Sequence, residues 1–110
     1  MAWNELSPEE QNILSEYVRL IRAWCGEQAR VNNHAEALND DYVAQVQVVL
    51  AELQDTDVIA DGSGLAGAAL LTKAEVVTLT SHVQGELSGF NTAGHRQLWA
   101  KAAGPGNLIG

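Results

Sequence analysis

A single cysteine, Cys25, stands in the 110 residues, so no disulfide can form within the chain. That usage suits a reducing cytosol better than a secreted scaffold. No apolar run approaches the roughly 20 residues that a membrane-spanning helix needs. The opening MAWNELSPEEQ is acidic and polar, without the basic and apolar regions of a secretory signal. Positive charge is scarce, since 6 Lys and Arg face 14 Asp and Glu, for a formal net charge of −8. An acidic surface repels nucleic acid and anionic membranes alike, so neither direct nucleic-acid binding nor membrane binding is expected. Acidic residues are in turn missing from one end. None follows Glu86, while Arg96 and Lys101 lie beyond it, so taking that +2 from −8 leaves −10 on the rest.

Residue patterns that carry chemistry are missing too. Gly62, Gly64 and Gly67 have the G-x-G-x-x-G spacing, after the apolar triplet Val58-Ile59-Ala60. A dinucleotide site needs a full strand before that loop, a helix opening at it and a second parallel strand. Here the strand is barely three residues and the helix signal comes only at Thr72, so residues 55–71 read as a long flexible connection. Asp55, Asp57 and Asp61 suggest a calcium loop, but Ile59 takes the third ligand position and Ala66 the twelfth. His34, His82 and His95 have no partner at metal-ligand spacing and read as polar surface residues. Cys25 falls in an apolar helical pattern and reads as a buried side chain. No G-x-S-x-G and no phosphate-binding loop occurs. Enzymatic activity, a cofactor and a metal site are therefore not expected.

What is present is a helix plan. Hydrophobic residues make up 46% and charged residues 18%, the balance of one globular domain. Ser7, Pro8 and Glu10 form an N-terminal capping box. Ile13, Leu14, Tyr17, Val18, Leu20, Ile21, Trp24 and Cys25 then recur at helical steps, giving a first helix near 8–32. Leu20 lies in the densest part of this stripe, so Leu20→Asp is expected to unfold the domain. A second helix, near 34–54, starts at Asn33 with Glu36 or at Asn39 with Asp40 and Asp41. It buries Leu38, Tyr42, Val46, Val49, Leu50 and Leu53. Its β-branched run VAQVQVVL competes as a strand, but the 3.6-residue period favours the helix. Thr72 and Glu75 open a third helix, near 73–88, with Val76, Leu79, Thr80, Val83 and Leu87 as its stripe and Gly89 as its cap. A short fourth follows near 93–103, stopped by Gly104-Pro105-Gly106. The fold class is all-α, a small bundle of three principal helices plus a short fourth.

The expected division is a helical domain over 1–89 and an extended partner-binding tail over 90–110. Trp3 and Trp99 lie outside the three main helices, where each either covers an open edge of the bundle or anchors a neighbouring protein. The tail is glycine-broken and apolar only at Phe90, Leu98, Trp99, Leu108 and Ile109. Its own burial repays little of its ordering entropy. These residues, with Trp3, are therefore expected to meet a neighbouring chain, and Arg96 and Lys101 to face acidic groups there. On this reading, deleting 90–110 leaves the domain folded but unable to assemble.

A small acidic helical domain over residues 7–89 with a glycine-broken basic tail resembles the small helical virion proteins of tailed bacteriophages. Among these it is closest in style to the head–tail connectors, or adaptors. The resemblance implies a non-enzymatic structural component of the virion, made in the bacterial host cytoplasm and assembling as a homo-oligomeric ring. Its partners would be neighbouring copies and other virion proteins, the portal or the capsid. A capsid decoration protein is the nearest alternative, and a free acidic binding or regulatory module is the rival from another class.

Overall fold

Local capping devices set the frame of the structure, a computed structural model in which residues 2–31, 39–60, 70–83 and 93–104 are described (backbone only at 27–31 and 93–96). A 3-10 turn at Trp3–Glu5 precedes α1, Pro8–Val31. The capping box forms as the sequence indicates: the Glu10 amide donates to Ser7 Oγ (3.1 Å) and the Ser7 amide to Glu10 Oε1 (3.0 Å). Asn39 starts α2, Asp40–Leu50, its Oδ1 accepting from the amides of Asp41 (2.9 Å) and Tyr42 (3.2 Å). The earlier start at Asn33 and Glu36, and Leu38, lie outside the described residues. Thr72 and Glu75 cap α3, Lys73–Val83, through Thr72 N to Glu75 Oε1 (2.9 Å) and Glu75 N to Thr72 Oγ1 (3.3 Å). The glycine motif, Leu87 and Gly89 fall outside the described residues. The last helix, α4, is Ala93–Ala103, and Gly104 ends it with φ of 88° while its amide bonds Ala100 O (2.9 Å). That left-handed turn favours glycine.

The fold is broadly all-α. To it the structure adds a small antiparallel ribbon of β1, Val58–Ile59, and β2, Leu71–Thr72, paired Val58 with Thr72 and Ile59 with Leu71. Because opposed side chains share a face, Ile59 and Leu71 point inward together and are fully buried. The turn before the ribbon does more than connect. Carbonyls of Asp57 and Asp55 accept from the amides of Lys73 (2.9 Å) and Ala74 (3.2 Å), two of the orphan donors of α3. Lys73 Nζ returns to Leu53 O (2.9 Å).

One core joins all of these elements. From α1 it takes Leu14, Tyr17, Val18, Ile21, Trp24 and Cys25; from α2, Val43, Val46, Val49 and Leu50; from α3, Val76, Leu79 and Val83; from α4, Trp99, Ala102 and Ala103. Tyr17 OH and Thr80 Oγ1, 2.6 Å apart, tie α1 to α3. Leu20 departs from expectation at 42% exposed. At about 100° per residue, Leu20 and Arg22 flank the centre of the α1 stripe at nearly equal angles on opposite sides. The end of α4 covers the Arg22 flank, where Arg22 Nη1 donates to Ala102 O (2.7 Å), and Leu20 is left to solvent. Leu20→Asp is consequently a surface change, and the unfolding expected of it is withdrawn.

Candidate functional site

The residues expected to bind a partner divide sharply by position. Trp99 is 1% exposed, inside the chain's own core. Its indole stands edge-on to Trp24 of α1 (centroids 5.8 Å, 81°) and to His82 of α3 (5.9 Å, 89°). Its Nε1 donates to His82 Nδ1 at 3.1 Å. Leu98 is half-buried against the same core, and Trp3 packs on it from the N-terminal turn, where Gln11 Nε2 donates to the Trp3 carbonyl (2.9 Å). Lys101 pairs with Glu75 of α3, Nζ lying 2.7 Å from Oε2 and 2.9 Å from Oε1. Residues 93–104 therefore do not leave the bundle, and the boundary at residue 89 does not hold for them. The physical reason lies in the α4 stripe: Leu98, Trp99, Ala102 and Ala103 share one face that packs on the core, with Trp99 set edge-on to Trp24 of α1. Arg96 lies in α4 with its side chain undescribed; Phe90, Leu108 and Ile109 lie outside the described residues.

Two buried polar residues escaped the sequence reading. His82 is 5% exposed rather than a surface residue. Arg22 is buried on α1, and its spacing offered a signal, four residues after Val18 and three before Cys25. Such spacing marks a helix face but cannot say which flank a fourth helix covers. Burial pushes the Cys25 thiol up to about 12, so it is a neutral core group rather than a nucleophile. Among the described residues, the buried Trp24 Nε1 and Tyr42 hydroxyl find no hydrogen-bond partner.

Among the described residues, two surface regions bear on partner contacts. At the first, the N-terminal turn meets the turn after α2. Glu10 and Glu52 share a carboxyl–carboxylate hydrogen bond, which holds Glu10 below and Glu52 above the ordinary carboxylate range, so the pair keeps one proton longer than either alone. Nearby a shallow depression is lined by Ala2, Glu5, Gln54 and Asp57. The second is the outer face of the ribbon. By the register, Val58 and Leu70 lie diagonally on the face opposite Ile59 and Leu71, and they are 44% and 50% exposed. Further large apolar side chains stand in solvent on other elements: Val48 on α2 at 71%, Val77 on α3 and Leu20 on α1.

Among the described residues, no three His, Cys, Asp or Glu side chains come together in a group that could hold a metal ion. None of the described helices is long and apolar enough to cross a membrane. No protein-family model matches this chain, and neither a curated protein nor a solved structure matches it.

Proposed function

We propose that this chain is a non-enzymatic structural subunit that works through contact with neighbouring proteins, and that its role is that of a head–tail connector in a phage particle, assembling as a homo-oligomeric ring. The observation that carries the reading is the ribbon. Its inner face is fully used by the core, yet its outer face presents Val58 and Leu70 to solvent beside the acidic turn. Val48, Val77 and Leu20 add apolar contacts on three other elements. A ring subunit needs two different faces that fit each other, so apolar groups on several sides suit it. With −8 on each copy, such contacts form more readily as salt rises, because repulsion between copies is screened.

The test is a Val58→Asp, Leu70→Asp double variant. Both side chains face outward, so it should keep the folded helical signal while losing self-association in sedimentation and incorporation into particles. Unchanged assembly removes the ribbon from the interface, and absence of the wild-type chain from any particle ends the virion reading. Copy number on intact particles separates a connector, present only as the copies of one closed ring, from a capsid decoration protein with far more. The Glu10–Glu52 end keeps the acidic binding module as a second reading. That module would be a monomer binding one basic partner, with an association that weakens steeply with salt.

A further inference from the structure

Between α3 and α4 sits a buried titratable group whose only protonatable atom is already in use. An indole N–H can only donate, so His82 Nδ1, 3.1 Å from Trp99 Nε1, is the acceptor. The imidazole is then the neutral tautomer with its proton on Nε2, and any further proton must go to Nδ1. Once protonated, Nδ1 becomes a donor pointing at a donor. Holding the Trp99 hydrogen bond and binding that proton are mutually exclusive.

The surroundings add to this conflict. His82 is 5% exposed, with the Trp99 ring edge-on to it, and burial disfavours an imidazolium. On α1 the core holds the Arg22 cation, which donates to Ala102 O one turn along α4 from Trp99, together with the Cys25 thiol and the Tyr17 hydroxyl. Burial raises both of the latter, so they stay neutral. From α4 comes Lys101, matched by Glu75 of α3 at 2.7 Å. Lys73, also on α3, is held at Leu53 O. Arg22 is thus a buried cation bound to the helix that carries Trp99. The same contact holds α4 in place: Trp99 bridges His82 on α3 and Trp24 on α1.

We propose that His82 is an acid-sensitive latch, in which proton uptake at Nδ1 releases Trp99 and undocks α4 from α1 and α3. Neutral histidine is required for docking, so the docked state is fully favoured above the ordinary histidine value near 6.5 and loses ground as the pH falls below it. Each pH unit below about 6.5 should raise the opening constant of α4 by up to tenfold. Release would uncover Trp24 and the apolar face of α1, a surface available only in acid.

The test is hydrogen exchange of the full chain by NMR between pH 7.5 and 5, read at the Trp99 indole N–H and the α4 amides and corrected for intrinsic exchange. The wild type should open up to about tenfold more per pH unit below 6.5. His82→Gln supplies a carbonyl acceptor that does not titrate, so its opening constant should stay flat; His34 and His95 remain in both chains. Equal pH dependence in the two, or none in the wild type, overturns the latch. Should His82→Gln fail to fold, the wild-type imidazole nitrogens still decide the matter. His82 must be unprotonated at Nδ1 at pH 7.5 and take up its proton in step with Trp99 opening. Proton uptake with Trp99 still protected overturns it.

Discussion

Replacing Trp99 by alanine removes the largest fully buried side chain of the core. A buried Trp→Ala change costs about 3–5 kcal/mol through lost transfer energy and the cavity left behind. The loss here includes two edge-on ring contacts, with Trp24 and His82, and it takes the donor from His82 Nδ1. A buried acceptor left without its donor costs about 1–3 kcal/mol, so the upper half of the range, roughly 4–5 kcal/mol, is expected. Against a whole stability of about 5–15 kcal/mol, that is enough to bring a domain of this size near its midpoint. Urea unfolding followed by far-ultraviolet circular dichroism measures it. With a slope of about 2 kcal/mol/M, the midpoint should fall by about 2 M. Trp99→Phe keeps most of the bulk while losing the hydrogen bond, and should cost about 1–3 kcal/mol. A Trp99→Ala cost below about 1 kcal/mol, the range of an exposed side chain, would refute the packing argument and return Trp99 to the surface.

Leu20→Asp should change stability by less than about 1 kcal/mol, whereas Ile21→Asp, one residue on but fully buried, should unfold the chain by burying an unpaired charge; thermal melts of the two decide between the flanks of α1. Tyr17→Phe deletes the hydroxyl at 2.6 Å from Thr80 and should cost about 0.5–1.5 kcal/mol, since Thr80 keeps its bond to Val76 O; a chemical denaturation midpoint checks it. Burial by itself would raise the Glu75 carboxyl, but hydrogen bonds from Lys101 and Thr72 and the Lys101 charge outweigh it and hold the group below its ordinary 4.5. Stability from a depressed carboxyl is present above the unfolded value and is lost as the pH falls through the folded one, so Glu75→Gln should flatten the stability curve below about pH 4.5, as acid titrations of both chains would reveal. A chain ending at Thr92, without α4, should lose cooperative unfolding.

The three caps read from Ser7, Asn39 and Thr72 form because each depends on residues within one turn, where sequence distance and spatial distance agree. The described parts of the α1, α2 and α3 stripes were legible for the same reason, apart from Leu20 on α1 and the α2 face. There Val43 is buried and Tyr42 only partly so, and the helix stops at Leu50 and leaves the buried Leu53 in the turn beyond it. The ribbon was not: its strands are two residues each, too short to show alternation, and they pair across the eleven residues between Ile59 and Leu71. The largest difference lies at α4. Its span was visible, but charge and glycine content gave 90–110 the look of a tail, and the stripe of Trp99, Ala102 and Ala103 covers too few residues to announce a core helix. Because α4 was set apart, the burial of its partners, Arg22 on α1 and His82 on α3, went unseen. A helix flank is polar or buried according to what docks on it, and docking is not a local property. For the surface, only the register says that Leu70 joins Val58 on the outer face of the ribbon.

Amide hydrogen exchange of the full chain at pH 7.5 tests most directly whether α4 belongs to the core. If it does, the amides of Trp99, Ala102 and Ala103 will be protected to the same degree as those of Ile21 and Cys25 on α1, and will be lost with them in one cooperative transition as urea is added. Exchange of the α4 amides near the unprotected rate, with α1 still protected, would contradict it and leave residues 93–104 a tail after all.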